Sequence, residues 1–132
     1  MIDCVSKVNS IHVFCDGSVR DDGRAGCGAL MCEYDERANS CESTITFRLS
    51  DGVSSTQAEL YAIYIVLTQV QGKHKDVHIF VDSRPALESL TSRSPVYEDL
   101  VAQCRSLMKE QQIKFYWIPS HVGILRMRRL MY

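Results

Sequence analysis

The hydrophobic period of this sequence changes after residue 49, and that change most constrains what the chain can fold into. Up to residue 49 apolar residues occur in short runs, as in IHVFC at 11–15, or alternate with polar ones, as in ITFRL at 45–49. From residue 55 they recur at helical spacing, as in LYAIYIVL at 60–67. A period near two is typical of strands, and a period near 3.6 is typical of helices. The sequence therefore predicts a run of strands followed by mixed α/β structure.

The predicted elements follow the order β-β-β-α-β-α-α-β. Strands are expected at 11–15, 27–34, 41–49, 77–81 and 113–118, and helices at 55–71, after 82–83 and at 98–111. Asp16-Gly17-Ser18 is a turn signal, Ser54 or Ser55 can cap the long helix, and Pro85 suits the first turn of the second helix. A meander of three strands followed by strand–helix alternation predicts a five-stranded mixed sheet with helices on both faces.

Charge and hydropathy restrict the class of protein. The 132-residue chain has a net charge of −1, from 15 basic and 16 acidic residues. A balance this even does not predict a strongly basic nucleic-acid-binding protein, so any such binding would depend on local patches. No stretch approaches the about 18 apolar residues of a membrane span, and MIDCVSKVNS has no apolar signal core. We expect one monomeric intracellular domain, cytoplasmic or nuclear, behind a leader of residues 1–10.

Cysteine spacing does not predict a zinc site. The six cysteines lie at positions 4, 15, 27, 32, 41 and 104, without a C-x-x-C pair or a matching histidine pair. Reduced, mostly buried thiols of an intracellular protein are favoured over a disulfide framework.

Three acidic residues lie at the ends of predicted elements. Asp16 follows the first strand, and Asp82 follows the strand VHIFV at 77–81. Turn chemistry alone explains Asp16, and capping of the next helix alone explains Asp82. Glu59 heads the apolar stripe of the long helix, where its carboxyl faces the core side unless it merely compensates the helix dipole. Taken singly, each acid therefore has a simpler structural explanation.

Together the three acids indicate a metal site. Residues beyond the carboxyl ends of strands meet at the edge where open α/β sheets place their sites, and the start of the long helix can cross that edge. Three carboxylates there would repel one another unless a hard divalent cation lay among them, and Mg²⁺ prefers such oxygen ligands. Two such ions about 4 Å apart can activate a water and stabilise the leaving oxygen of a phosphodiester. Asp16, Glu59 and Asp82 are therefore the predicted metal ligands.

Four motifs match a known family. They are F-C-D-G-S at 14–18, T-Q-A-E-L-Y-A-I at 56–63, V-D-S-R-P-A-L at 81–87 and W-I-P-S-H-V-G-I at 117–124. In this order and spacing the chain resembles the type 1 ribonuclease H family, and most closely the ribonuclease H domains of non-LTR retrotransposons. The resemblance covers residues 9–124, and the predicted domain spans 11–124.

The resemblance implies a fold and a reaction. The family has a ribonuclease H-like five-stranded mixed sheet and cleaves the RNA strand of RNA–DNA hybrids with two Mg²⁺ ions, with Mn²⁺ as an alternative and no small-molecule cofactor. It implies that Asp16, Glu59 and Asp82 are three of four metal-binding carboxylates and also catalytic. It further implies that His121 assists proton transfer or product release, although a plain loop histidine is the simpler explanation of Ser-His-Val-Gly.

The resemblance also implies a nucleic-acid surface. The positions where the family contacts the backbone and minor groove of the hybrid carry Gly17, Ser18, Ser55, Thr56 and Gln57. Short polar side chains there suit recognition of shape and of the 2′-hydroxyl. Trp117 is interpreted as a core residue in preference to a platform for base stacking.

The match stops after residue 124. In the family a fourth metal-binding Asp lies ten residues after the histidine, and a helix there packs against the sheet. Here position 131 is Met, and the basic tail LRMRRLMY at 125–132 matches nothing in that pattern. We therefore expect the final helix to be missing and two-metal hydrolysis to be weakened, because one ion would be held poorly.

Two functions stay open at this point. The first is an RNA–DNA hybrid endonuclease, and the second is a catalytically inactive nucleic-acid-binding remnant of a retroelement ribonuclease H domain. An unrelated α/β protein that binds a small phosphate ligand is disfavoured, because the sequence has no Gly-rich phosphate loop of the P-loop or Rossmann kind.

Overall fold

The computed structural model describes residues 5–109 and 111–118, and their elements follow the order predicted from the hydrophobic periods. The strands are β1 (Ser10–Val19), β2 (Ala25–Tyr34), β3 (Ser40–Leu49), β4 (Asp76–Val81) and β5 (Ile113–Trp117), and the helices are α1 (Ser55–Gln69), α2 (Arg84–Thr91) and α3 (Glu98–Met108). The predictions for the final helix, His121 and position 131 fall outside the described residues.

The five strands form one mixed sheet in the order β3-β2-β1-β4-β5. β1, β2 and β3 are an antiparallel meander, whereas β4 runs parallel to β1 and β5 runs parallel to β4. This confirms the predicted sheet. β1 and β4 are parallel neighbours inside the sheet, so the carboxyl ends of these two strands come to the same edge.

The three described helices all pack on one face of the sheet. Ile11, Val13 and Cys15 of β1 join buried residues of α1, α2 and α3 in the main core cluster. The opposite face carries a smaller cluster whose described members come from strands and from Ile118, without a helix. The prediction of helices on both faces is therefore not met within 5–109 and 111–118. The chain steps from β3 to the parallel β4 through α1, and from β4 to β5 through α2 and α3, and both steps move the same way across the sheet. Right-handed crossovers then place all three helices on the same side.

β1 is longer than its apolar run. The predicted strand 11–15 with a turn at Asp16-Gly17-Ser18 was wrong, because β1 continues to Val19 and pairs with β2 throughout. The chain turns instead at Arg20–Arg24, where the Arg20 N–H donates to the Arg24 carbonyl at 2.8 Å and Gly23 has a φ of +87°. β2 supplies the backbone hydrogen bonds that keep the polar residues 16–18 in strand conformation, so Asp16 lies within a strand.

The other boundaries differ by a few residues at most. Ser54 is the N-cap of α1, since its hydroxyl accepts the Gln57 N–H at 3.0 Å. Ser83 caps α2 in the same way, so helix capping does not explain Asp82, and Pro85 lies in the first turn as predicted. α1 and α3 end at residues 69 and 108, before the predicted 71 and 111.

Two further predictions concern cysteines and membranes. The five cysteines within the described ranges are free thiols, of which Cys41 is exposed and the others are buried. No helix in 5–109 or 111–118 is long and apolar enough to cross a membrane.

Candidate metal centre

The structure brings the three predicted carboxylates together. Cys15 of β1 and Val81 of β4 are the last residues paired between these strands, and Asp16 and Asp82 each follow directly. Adjacent strands lie about 4.8 Å apart, so this register sets the two acids side by side at one edge. Glu59 reaches the same edge from α1, and one oxygen of each carboxylate lies within 4.8 Å of the others.

Gly17 allows α1 to approach β1 closely. A Cβ atom on Gly17 would lie 2.5 Å from the carbonyl carbon of Ala58 and 2.5 Å from the backbone nitrogen of Glu59. Without that atom, the Gly17 N–H donates a hydrogen bond to the Glu59 carboxyl. The glycine in F-C-D-G-S therefore serves a contact between strand and helix, and not the turn that the sequence suggested.

The cluster is buried and electrostatically strained. Asp16 is 2% exposed and Glu59 is 7% exposed. Burial, followed by the charges of Asp16 and Asp82, raises the pKa of Glu59 to about 9. Among the described residues no hydrogen-bond partner faces the buried Oε2 atom of Glu59. A cation among the carboxylates would compensate both the charge and this oxygen, so the donor set fits a bound metal.

The chemistry of the available ligand atoms indicates which class of metal could bind. Burial, followed by the charge of Glu59, raises the pKa of Cys15 well above its ordinary value and the pKa of Cys27 to about 11. Within the described residues, the group whose ligand atoms lie close enough to share a metal ion contains three carboxylates and no thiol. The available ligands are carboxylate oxygens, which suit Mg²⁺, Ca²⁺ or Mn²⁺ better than zinc or copper.

The residues predicted to contact nucleic acid flank this cluster. Gly17 and Ser18 follow Asp16 on β1, while residues 55–57 open α1 just before Glu59. Ser55 is exposed and Thr56 and Gln57 are half-buried, so these polar groups lie beside the carboxylates with part of their surface open to solvent. His121, the fourth predicted catalytic residue, lies outside the described residues.

Trp117 belongs to the surroundings of the site, which the sequence interpretation missed. It is 46% exposed, so the prediction of a core residue was wrong. Its Nε1–H donates to the Asp82 carbonyl at 3.2 Å, and the Arg84 guanidinium carbon lies 5.0 Å from the centre of the indole ring. β5 is an edge strand of the sheet, a position that the residue pattern of IKFYW does not reveal.

Comparison with known proteins gives one family. A family model described as RNase H matches residues 8–128. A search of curated proteins by sequence gives no match.

Solved structures share the fold at low identity. Ribonuclease H1 from the halophilic archaeon Halobacterium salinarum has a TM-score of 0.68 and 19% identity, with 83% of this chain and 86% of that chain covered. An N-terminal RNase H domain from Mycobacterium tuberculosis, solved as a fusion with maltose binding protein, has a TM-score of 0.67, 18% identity and coverages of 83% and 87%.

A larger viral protein contains the same fold as one part. The foamy viral protease-reverse transcriptase, solved in complex with an RNA/DNA hybrid, has a TM-score of 0.67 and 10% identity. The match covers 91% of this chain and 18% of the viral chain. At such identities the likeness establishes the fold alone.

Proposed function

Because the chain belongs to the ribonuclease H family, we propose that it hydrolyses the RNA strand of RNA–DNA hybrids at Asp16, Glu59 and Asp82. The observation that carries this proposal is the meeting of three carboxylates within 4.8 Å at the carboxyl edge of the two central strands. The viral protein of the same fold, solved with an RNA/DNA hybrid, supports the choice of substrate.

Asp16, Glu59 and Asp82 would hold Mg²⁺, with Mn²⁺ as an alternative, since hard cations prefer carboxylate oxygens. When bound, a pair of such ions activates a water and stabilises the leaving oxygen of a phosphodiester. The chain contributes the position of its ligands. Two carboxylates directly follow the last residues paired between the neighbouring strands β1 and β4, and the Gly17 N–H donates a hydrogen bond to the third.

The polar residues around the cluster would orient the hybrid. Ser18 on β1 and residues 55–57 on α1 can contact the backbone and the 2′-hydroxyl, which distinguishes RNA from DNA. By resemblance His121 would move a proton at the reacting phosphate or assist product release.

A second function is favoured by one residue. Position 131 carries Met where the family pattern has a fourth metal-binding Asp. One carboxylate fewer lowers the affinity for the second ion, so we expect cleavage to be weak. In the limiting case the chain is an inactive remnant of a retroelement ribonuclease H domain that binds the hybrid without cutting it.

Gel cleavage of a labelled RNA–DNA hybrid tests both functions. We expect slow cleavage of the RNA strand with Mg²⁺ or Mn²⁺, and complete loss of cleavage in Asp82→Asn, which also controls for contaminating nuclease. The exposed Asp22→Asn, in the β1–β2 turn, is the matched control and should cleave like the wild type. Hybrid that binds in a gel shift but stays intact would select the second function. Cleavage that persists in Asp82→Asn would contradict the proposed site.

A further inference from the structure

Trp117 and Arg84 form an exposed pair beside the carboxylate cluster, and the reaction proposed above uses neither side chain. Trp117 is the single tryptophan of the chain, and nearly half of its surface is exposed. Lone apolar residues at a surface are common and need no explanation by themselves. The orientation of this ring and its position beside the carboxylates indicate a role in binding.

The indole ring is held by the segment that carries a candidate metal ligand. Its Nε1–H donates to the Asp82 carbonyl, while the guanidinium of Arg84 lies over the ring face. A ring that is already fixed loses little conformational entropy when a partner covers it. The pair is therefore preorganised, with Trp117 and Arg84 arranged in relation to Asp82 before any ligand binds.

The strand register places this pair next to the carboxylates. Trp117 of β5 pairs with Val81 of β4, and Asp82 is the residue after Val81. The backbone of β5 thus lies about 4.8 Å, one strand spacing, from the strand that ends in a candidate ligand. A polymer bound at the ends of β1 and β4 extends past them, and on one side the next strand end is that of β5.

We propose that Trp117 and Arg84 form a backbone-binding subsite for the hybrid, in which the indole packs on a sugar and the guanidinium contacts the adjacent phosphate. This inference rests on the proposed function and adds a subsite to it. Bases of a duplex are stacked inside it, so an exposed ring at its edge meets sugars and phosphates. Arg84 has no ion pair with an acid in the described ranges, and a guanidinium suits phosphate. Recognition by this subsite is independent of base sequence.

The single tryptophan makes the subsite directly observable. The wild-type chain is titrated with hybrid in Ca²⁺, which also prefers carboxylate oxygens. Anisotropy of a labelled hybrid reports binding, and collisional quenching by acrylamide reports access to Trp117. As the hybrid saturates the protein, we expect the quenching constant of Trp117 to fall roughly twofold or more, because one face of the ring becomes covered.

Substitutions separate the two side chains. Trp117→Phe keeps a flat ring but loses the Nε1–H bond to the Asp82 carbonyl, so its affinity for hybrid should lie between those of Trp117→Ala and the wild type. Trp117→Ala should bind about tenfold more weakly than the wild type, as expected for the loss of an aromatic contact residue. Arg84→Ala should lower the slope of log affinity against log salt by about one, as expected for one lost phosphate contact. The matched control is Arg37→Ala. Arg37 is an exposed arginine in the β2–β3 turn, at the end of the sheet opposite the carboxylates, and its substitution should change neither the affinity for hybrid nor the salt slope.

The outcomes distinguish this inference from the proposed function. Hybrid that binds without any change in the quenching of Trp117 overturns the subsite and leaves the proposed reaction standing. A chain that does not bind hybrid at all overturns both. Protection of Trp117 together with an absence of cleavage supports the subsite and contradicts the proposed reaction alone. Because the fluorescence measurement uses the wild-type chain, it decides the matter even where Trp117→Ala fails to fold.

Discussion

Glu59 carries a carboxyl whose protonation is coupled to folding. Its pKa rises from 4.5 to about 9 in the folded protein, first through burial and then through Asp16 and Asp82. Between these values the folded protein keeps a proton that the unfolded chain has released. The free energy of unfolding therefore falls as the pH rises, by at most about 1.4 kcal/mol per pH unit. Metal-free protein should lose stability between about pH 5 and pH 8 on this account.

Urea unfolding in EDTA across that pH range measures the effect of Glu59→Gln. The difference between wild type and variant is the quantity of interest, since His12 and His78, whose pKa values are lowered by burial, shift stability the opposite way in both proteins. The exposed Glu36→Gln is the matched control and should follow the wild type. Mg²⁺ should flatten the wild-type slope. Parallel curves for wild type and Glu59→Gln would refute the coupling.

The grouping of the three acidic residues was predictable from sequence because each was expected near the end or the start of an element. Asp16, Glu59 and Asp82 could be grouped because predicted strand ends and a predicted helix start share an edge, and one oxygen of each carboxylate does lie within 4.8 Å of the others. Gly17 and Trp117 were misinterpreted, since their surroundings come from α1 and β4, which are distant in sequence. A close approach between a strand and a helix, or a position on the edge strand of a sheet, produces no pattern in the neighbouring sequence.

At the level of elements, the contact between β1 and α1 depends on Gly17. A methyl group there would meet backbone atoms of α1 at 2.5 Å, and a backbone cannot rotate aside as a flexible side chain can. We expect Gly17→Ala to lower the free energy of unfolding by about 3 kcal/mol, the upper end for overpacking. The substitution should also reduce the rise in melting temperature on adding Mg²⁺, because a displaced α1 would carry Glu59 away from Asp16.

Gly26→Ala is the matched control on the neighbouring strand, where Gly26 pairs with Ser18. The added methyl would lie 3.2 Å from the Phe47 carbonyl oxygen, which is tight but involves a single atom of an edge strand. We expect a change within about 1 kcal/mol. Equal losses in Gly17→Ala and Gly26→Ala, measured by urea unfolding, would show that the β1–α1 approach is not special.

The order of the elements was predictable because the hydrophobic period can be read from neighbouring residues. The ends of the elements were less predictable, because they depend on contacts with other elements. β1 runs four residues past its apolar stretch since its hairpin partner continues to Ala25. The side on which α2 and α3 lie follows from strand order and crossover handedness, which local periodicity does not contain.

Across the whole molecule, the core is concentrated on the three interior strands. β1, β2 and β4 each contribute side chains to the main core with the helices and also to the smaller cluster on the opposite face. β3 is an edge strand with largely exposed side chains. Loss of a central side chain should therefore affect the cooperative unfolding of the whole domain, whereas loss of one from β3 should act locally.

Phe80 and Phe47 test this unequal distribution with the same chemical change. Phe80 on β4 is 1% exposed and stacks between Phe14 and Tyr116, with ring centroids 5.0 and 4.9 Å away. Phe47 on β3 is 49% exposed. Phe80→Ala should lower the free energy of unfolding by about 3–5 kcal/mol through lost burial and a residual cavity, and Phe47→Ala by less than about 1 kcal/mol. Urea unfolding followed by far-UV circular dichroism measures both, and losses of similar size would mean that the edge strand supports the fold as much as its centre does.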